Sequence, residues 1–119
     1  MIGIDTTFVS DVLKGTVVPQ ELEFEELVIC DIVYFECLAG SNKPKHVESF
    51  ISEFDKVHLT IAIAKRAAEI FNHLRKQGRE IGQADCLIAA TYLENGITKI
   101  LTRNTKHFSQ IPGLEIVAY

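Results

Sequence analysis

Asp5, Glu36, Asp85 and Asn104 are the residues of this chain whose types and surroundings could do chemistry. Asp85 stands in Gly82-Gln83-Ala84-Asp85-Cys86-Leu87-Ile88-Ala89-Ala90, which reads as the start of a helix that is apolar almost all round and therefore buried. On that helix Asp85 shares a face with Ile88, Ala89 and Tyr92. A buried carboxylate is costly unless it is paired, hydrogen-bonded or bound to a metal. Asp5 ends the apolar run Ile2-Gly3-Ile4, Glu36 interrupts an apolar stretch between Phe35 and Cys37-Leu38, and Asn104 follows Leu101-Thr102-Arg103.

Two carboxylates about 4 Å apart repel by roughly 4 kcal/mol at an effective dielectric of about 20. Three in one pocket would therefore hold protons or bind a cation. Oxygen ligands without paired Cys or His favour Mg²⁺ or Mn²⁺. A hard cation in an acidic pocket suits phosphate chemistry, because it acidifies water and stabilises attacking and leaving oxygens. The four histidines, His46, His58, His73 and His107, are scattered and form no H-E-x-x-H, which argues against zinc. Each residue also has an ordinary reading. Asp5 could cap a helix, Asp85 could complement a helix dipole, Glu36 could face solvent and Asn104 could make a turn. Asp31 reads as a helix N-cap, Asp11 as an exposed helix position, and Arg103 and His107 as loop surface.

The elements that must position these groups alternate. Ile2–Ile4 reads as a buried strand that empties into a helix carrying Phe8, Val9, Val12 and Leu13 and closed by Gly15. Residues 16–26, with Pro19 and a run of acids, show no clear period and suggest at most a short turn of helix. Leu27–Cys30 reads as a second strand, followed by a helix from Asp31 to Gly40. Pro44 suits a first helical turn, and Val47, Phe50, Ile51 and Phe54 make an amphipathic stripe. Val57–Leu59 reads as a third strand, with Thr60 capping a helix whose stripe is Ala64, Ala67, Ala68, Phe71 and Leu74 and which Gly78 stops. The Asp85 helix runs to about Asn95-Gly96. Thr98–Thr102 and Leu114–Val117 read as the last strands, with residues 103–113 a loop. This order implies one domain over residues 1–119, a three-layer α/β/α sandwich with a mostly parallel central sheet of about five strands. In such sheets the site lies at the carboxyl ends of the strands, where Asp5 and Asn104 fall.

Bulk properties narrow the class. At 47% hydrophobic and 24% charged, the composition is that of an ordinary soluble domain. A net charge of −4 argues against gripping nucleic acid over a broad basic face, but not against a nuclease whose metal supplies positive charge. The three cysteines, Cys30, Cys37 and Cys86, lie in apolar surroundings with no C-x-x-C spacing, as expected of reduced thiols in a cytoplasmic protein. No stretch reads as a signal peptide or a membrane span.

Four segments together resemble the PIN-domain ribonucleases, and within them the small VapC-like toxins. They are Ile4-Asp5-Thr6; Tyr34-Phe35-Glu36-Cys37-Leu38-Ala39-Gly40; Ile81 to Ala90 around Asp85; and Leu101-Thr102-Arg103-Asn104-Thr105-Lys106-His107-Phe108 followed by Ile111-Pro112-Gly113-Leu114. The fourth place often carries aspartate and here carries Asn104. The resemblance implies a PIN-like fold and metal-dependent endoribonuclease activity that leaves a 5′-phosphate and a 3′-hydroxyl. It implies Asp5 and Asp85 as direct Mg²⁺ ligands, with Mn²⁺ able to substitute. Glu36 would complete the site, as a ligand through water or by orienting the nucleophile. Thr6, Thr102 and Asn104 would position water or phosphate, and Arg103, Lys106 or Arg79 would touch RNA phosphates. A cognate antitoxin and a homodimer are implied too. Alternatives are an RNA-processing nuclease without a toxin role, a PIN-like domain that binds RNA or protein without cutting, and a phosphoaccepting receiver domain. The receiver is disfavoured because Asp5 stands alone and His58-Leu59-Thr60 offers no aspartate.

Overall fold

Ile2–Ile4 (β1) is buried at every residue, so both of its faces are covered, as a central parallel strand requires. The computed structural model describes residues 1–16 and 20–119, apart from the side chains of Glu21 and Phe24. Around β1 lie Leu27–Cys30 (β2), Asp55–Val57 (β3), Lys99–Leu101 (β4) and Glu115–Val117 (β5), in the order β3-β2-β1-β4-β5. Every pairing is parallel, with Gly3 opposite both Val28 and Ile100. The expected α/β architecture is thus observed, with an all-parallel sheet. The helices are Thr6–Leu13 (α1), Asp31–Ala39 (α2), Pro44–Ile51 (α3), Ile61–Lys76 (α4), Gln83–Glu94 (α5) and Thr105–Phe108 (α6).

Several expectations need correction. The third strand is Asp55–Val57 rather than 57–59. Residues 58 and 59 leave the ladder because Asp31 takes them: Oδ1 meets His58 Nδ1 at 2.8 Å and Oδ2 accepts the Leu59 N–H at 3.0 Å. For the same reason Asp31 is not the N-cap of α2; Cys30 occupies that place and Asp31 opens the helix. The inner face of α4 is Ile63, Ala67, Ile70 and Leu74, while Ala68 is exposed. The expected stripe follows the alanines, whereas burial follows the larger isoleucines, which remove more apolar surface from water. Thr60 caps α4 as expected, accepting from Ile63 N at 3.2 Å, and Gly78 ends it at φ 69°, in the left-handed region. Residues 20–24 form a short 3₁₀ turn, in keeping with the short turn expected in that stretch, whose Pro19 lies outside the described residues. The loop expected after β4 contains α6.

Tyr92 of α5 fixes that helix to the centre of the sheet. Its hydroxyl reaches the backbone oxygens of Ile4 and of Val28, the latter at 3.2 Å, and meets Cys30 N at 3.3 Å. The side chain is fully buried, so these bonds replace those its hydroxyl would otherwise make to water. Asp85 lies two turns earlier on the same helix and is thereby held in register with β1.

Candidate active site

The strand order changes direction between β1 and β4, since β2 follows β1 on one side and β4 lies on the other. Such a switch leaves a crevice at the carboxyl ends of the two strands. Asp5 leaves β1 there, and Thr102 to Asn104 leave β4.

Asp5 is 4% exposed. It precedes α1, yet its side chain makes no capping bond to that helix. Oδ2 instead accepts from Thr102 Oγ1 at 2.7 Å and from Thr7 Oγ1 at 3.1 Å. Burial raises its pKa above the usual carboxylate range; the two hydroxyls and the Thr6 N–H pull the other way, and the charge of Asp85 adds to the rise. Glu36 is half-buried on α2, its Oε1 accepting from Thr6 Oγ1 at 2.7 Å. Burial raises Glu36 as well, opposed by Thr6 and reinforced by the charges of Asp5 and Asp85. Asp5, Glu36 and Asp85 therefore lie within reach of one another's fields. Burial pushes the neighbouring Cys37 thiol up to about 12, with the charges of Glu36 and Asp5 contributing.

Asp85, in the first turn of α5, has 18% of its side chain exposed. Its Oδ2 lies 2.8 Å from His107 Nδ1 and 3.4 Å from Asn104 Nδ2. A carboxylate only accepts, so His107 donates through an Nδ1–H and Asn104 through its amide. The expectation of His107 on the loop surface is corrected, because α6 turns it onto Asp85. Only the turn that α6 makes could have signalled this, and residues 105–108 are too short a stretch to show a period.

The loop after β4 is tied to the same crevice. Thr102 Oγ1 also accepts the Asn104 N–H at 2.9 Å, and Thr7 Oγ1 accepts the Arg103 N–H at 2.9 Å. Sequence reasoning picks out Thr6 and misses Thr7; in the structure Thr6 serves Glu36 and Thr7 serves Asp5. The available signal is the pair of hydroxyls directly after the acid that ends β1. The Arg103 guanidinium goes to Asp11, with Nε and Nη2 at 3.0 and 3.2 Å, and is not brought to the acids. Asp11, expected to be an exposed helix position, has only 15% of its side chain exposed and also accepts from Tyr119 OH at 2.6 Å. Those bonds hold its carboxyl below the usual range, Arg103 first and Tyr119 second. Lys106 and Arg79 are exposed.

Among the described residues no three His, Cys, Asp or Glu side chains already enclose a point as a metal cage would. The donor chemistry nevertheless fits a hard divalent ion. The donors are carboxylate oxygens, two of the three acids are raised by burial and mutual charge, and Glu36 Oε2 and Asp85 Oδ1 have no hydrogen-bond partner among the described residues.

Comparison with known proteins identifies the family. A family model described as "PIN domain" matches residues 2–114. Ribonuclease VapC19 of Mycobacterium tuberculosis is 33% identical over 120 residues, covering 94% of this chain and 95% of that protein. The tRNA(fMet)-specific endonuclease VapC of Shigella flexneri is 28% identical over 96 residues, covering 75% of this chain and 72% of that protein. Among solved structures, DNA-bound VapBC from Salmonella typhimurium superposes with a TM-score of 0.85 at 23% identity, over 99% of this chain and 98% of that one, a likeness of fold.

Proposed function

The chain belongs to the PIN-domain family, and on that premise we propose that it is a metal-dependent endoribonuclease, the toxin of a toxin–antitoxin pair, acting as one nuclease domain over residues 1–119. PIN-domain ribonucleases are in general dependent on a divalent metal. The observation that carries the reading is the junction of Asp5, Glu36 and Asp85 at the β1–β4 switch, each acid held by a neighbouring side chain and two of them raised in pKa by burial, to which the charges of the other acids add.

Asp5, Asp85 and Glu36 are the residues that would hold Mg²⁺, with Mn²⁺ as a substitute. Bound there, the ion would acidify water and neutralise charge on the phosphate. The chain's own groups do the rest. Thr102 and Thr7 fix Asp5, Thr6 fixes Glu36, and His107 and Asn104 fix Asp85. Glu36 Oε2, which has no hydrogen-bond partner among the described residues, would orient the attacking water. In-line attack breaks the P–O3′ bond, leaving a 5′-phosphate on one fragment and a 3′-hydroxyl on the other. Asn104 in place of a fourth acid leaves one negative charge fewer in the crevice. Arg103 contributes through the loop it anchors, whose N–H groups reach Thr7 and Thr102. Lys106 and Arg79 meet RNA phosphates.

The partners proposed are an RNA substrate, an antitoxin that covers the acidic crevice, and a second copy of the chain in a homodimer. The site of action is the cytoplasm; no helix among the described residues is long and apolar enough to cross a membrane. Incubation with single-stranded RNA and Mg²⁺ should give fragments with 5′-phosphate ends. EDTA should stop cleavage and Mn²⁺ restore it, and Asp85→Asn should abolish it with the fold retained. Cleavage indifferent to EDTA would defeat the reading. The open arrangement of the acids favours one second reading, a PIN-like domain that binds RNA or protein without cutting. Calorimetric titration with Mg²⁺ separates the two, because a non-cleaving domain has no need of the ion.

A further inference from the structure

Thr6 and Glu36 have a second side. Away from Asp5 they form one wall of a cavity of about 380 Å³ between α1, α2 and the start of α3. Its floor is apolar and includes the buried Val9 and Val47. Its rim carries the exposed side chains of Lys14, Lys43 and His46. Neither lysine forms an ion pair among the described residues.

We infer that this cavity receives the nucleotide next to the scissile phosphate, with its base on the apolar floor and its phosphates at Lys14 and Lys43. The inference rests on the ribonuclease reading and names how that site holds its substrate. In a chain of net charge −4, an acidic crevice repels the phosphates it must accept. Cations at the mouth of an adjoining cavity offset that repulsion where the strand enters, and phosphate contacts set its position. A base can lie against the apolar floor and the ring of His46, as single-stranded RNA does on protein surfaces. Two exposed lysines at the rim attract a polyanion and repel a basic peptide, so the charge pattern favours RNA.

The test uses the whole chain and a fluorescein-labelled single-stranded RNA that the wild-type protein cuts. For Lys14→Ala/Lys43→Ala, KM should rise about tenfold with kcat within about twofold. In the Asp85→Asn background, the slope of log binding constant against log salt should become shallower by roughly 1.4, because two phosphates are no longer neutralised. Lys14→Arg/Lys43→Arg should keep wild-type values, as should Lys99→Ala at the amino end of β4. Unchanged KM and slope in the alanine pair would overturn the inference, as would an equal effect of Lys99→Ala. So would unaltered RNA kinetics together with weakened binding of an inhibitory peptide, which would assign the cavity to a protein. A wild-type chain that neither binds nor cuts any RNA would remove the ribonuclease reading itself, and this inference with it.

Discussion

A Cβ on Gly3 would stand 2.7 Å from three carbons of the Tyr92 ring. The central strand therefore has no side chain at the point where α5 crosses it, and the aromatic ring fills the space. Tyr92 and Asp85 ride on one helix, so this contact sets how far Asp85 lies from the end of β1. Gly3→Ala should cost about 1–3 kcal/mol, the usual cost of overpacking a tight core. Tyr92→Phe should cost about 1–3 kcal/mol by another route, since it leaves the buried Cys30 N–H without the hydroxyl it meets. Urea unfolding of both variants measures this; a Gly3→Ala midpoint equal to wild type would mean that the helix shifts freely over the sheet.

The raised pKa of Asp5 carries a sign for stability. An acid whose folded pKa lies above its unfolded value binds more protons when folded, so its contribution falls as pH rises through that interval. In the ordinary aspartate range near 3.8 and just above it, the folded state is favoured by holding the proton. Above the raised value Asp5 is ionised in a buried place and the benefit is lost. Without divalent ions, Asp5→Asn should therefore melt at a higher temperature than wild type at neutral pH, and the gap should close as pH falls below about 4. Mg²⁺ should narrow the gap by stabilising the wild type alone. Thermal melts across pH with EDTA and with Mg²⁺ measure both effects, and a gap independent of pH would show that the substitution acts through packing.

Much of this is legible in the residues. Short apolar runs bounded by Asp5, Cys30 and Thr102 mark β1, β2 and β4 because a strand buried on both faces has no polar alternation to hide it. What stays hidden is partner choice. Asp31 looks like a cap because aspartate before a helix commonly is one, and nothing local says that its oxygens will take His58 and Leu59 from a neighbouring strand end. Asp11 looks exposed because its partners, Arg103 and Tyr119, lie about a hundred residues away. β3 is displaced from its expected place because an edge strand with Asp55 and Lys56 exposed lacks the apolar signal that betrays the inner ones. Long-range side-chain pairing leaves no period in the sequence.

His107 shows what such a pairing implies for function. Its Nδ1–H reaches the same Asp85 oxygen that Asn104 approaches, so two donors hold that oxygen and leave Oδ1 without a hydrogen-bond partner among the described residues. Partners of this kind fix a ligand's direction, and removing one typically weakens metal binding about 10- to 100-fold. His107→Ala should therefore raise the dissociation constant for Mn²⁺ by about tenfold in calorimetry, and the half-saturating Mg²⁺ in cleavage by a similar factor. Cleavage at saturating metal should recover to within a few-fold of wild type, because the bound ion then holds Asp85 itself. His107→Asn, which can still donate at that place, should recover part of the lost affinity. Calorimetry that gave His107→Ala the wild-type affinity for Mn²⁺ would show that Asp85 is directed by α5 alone, with the 2.8 Å contact playing no part in metal binding.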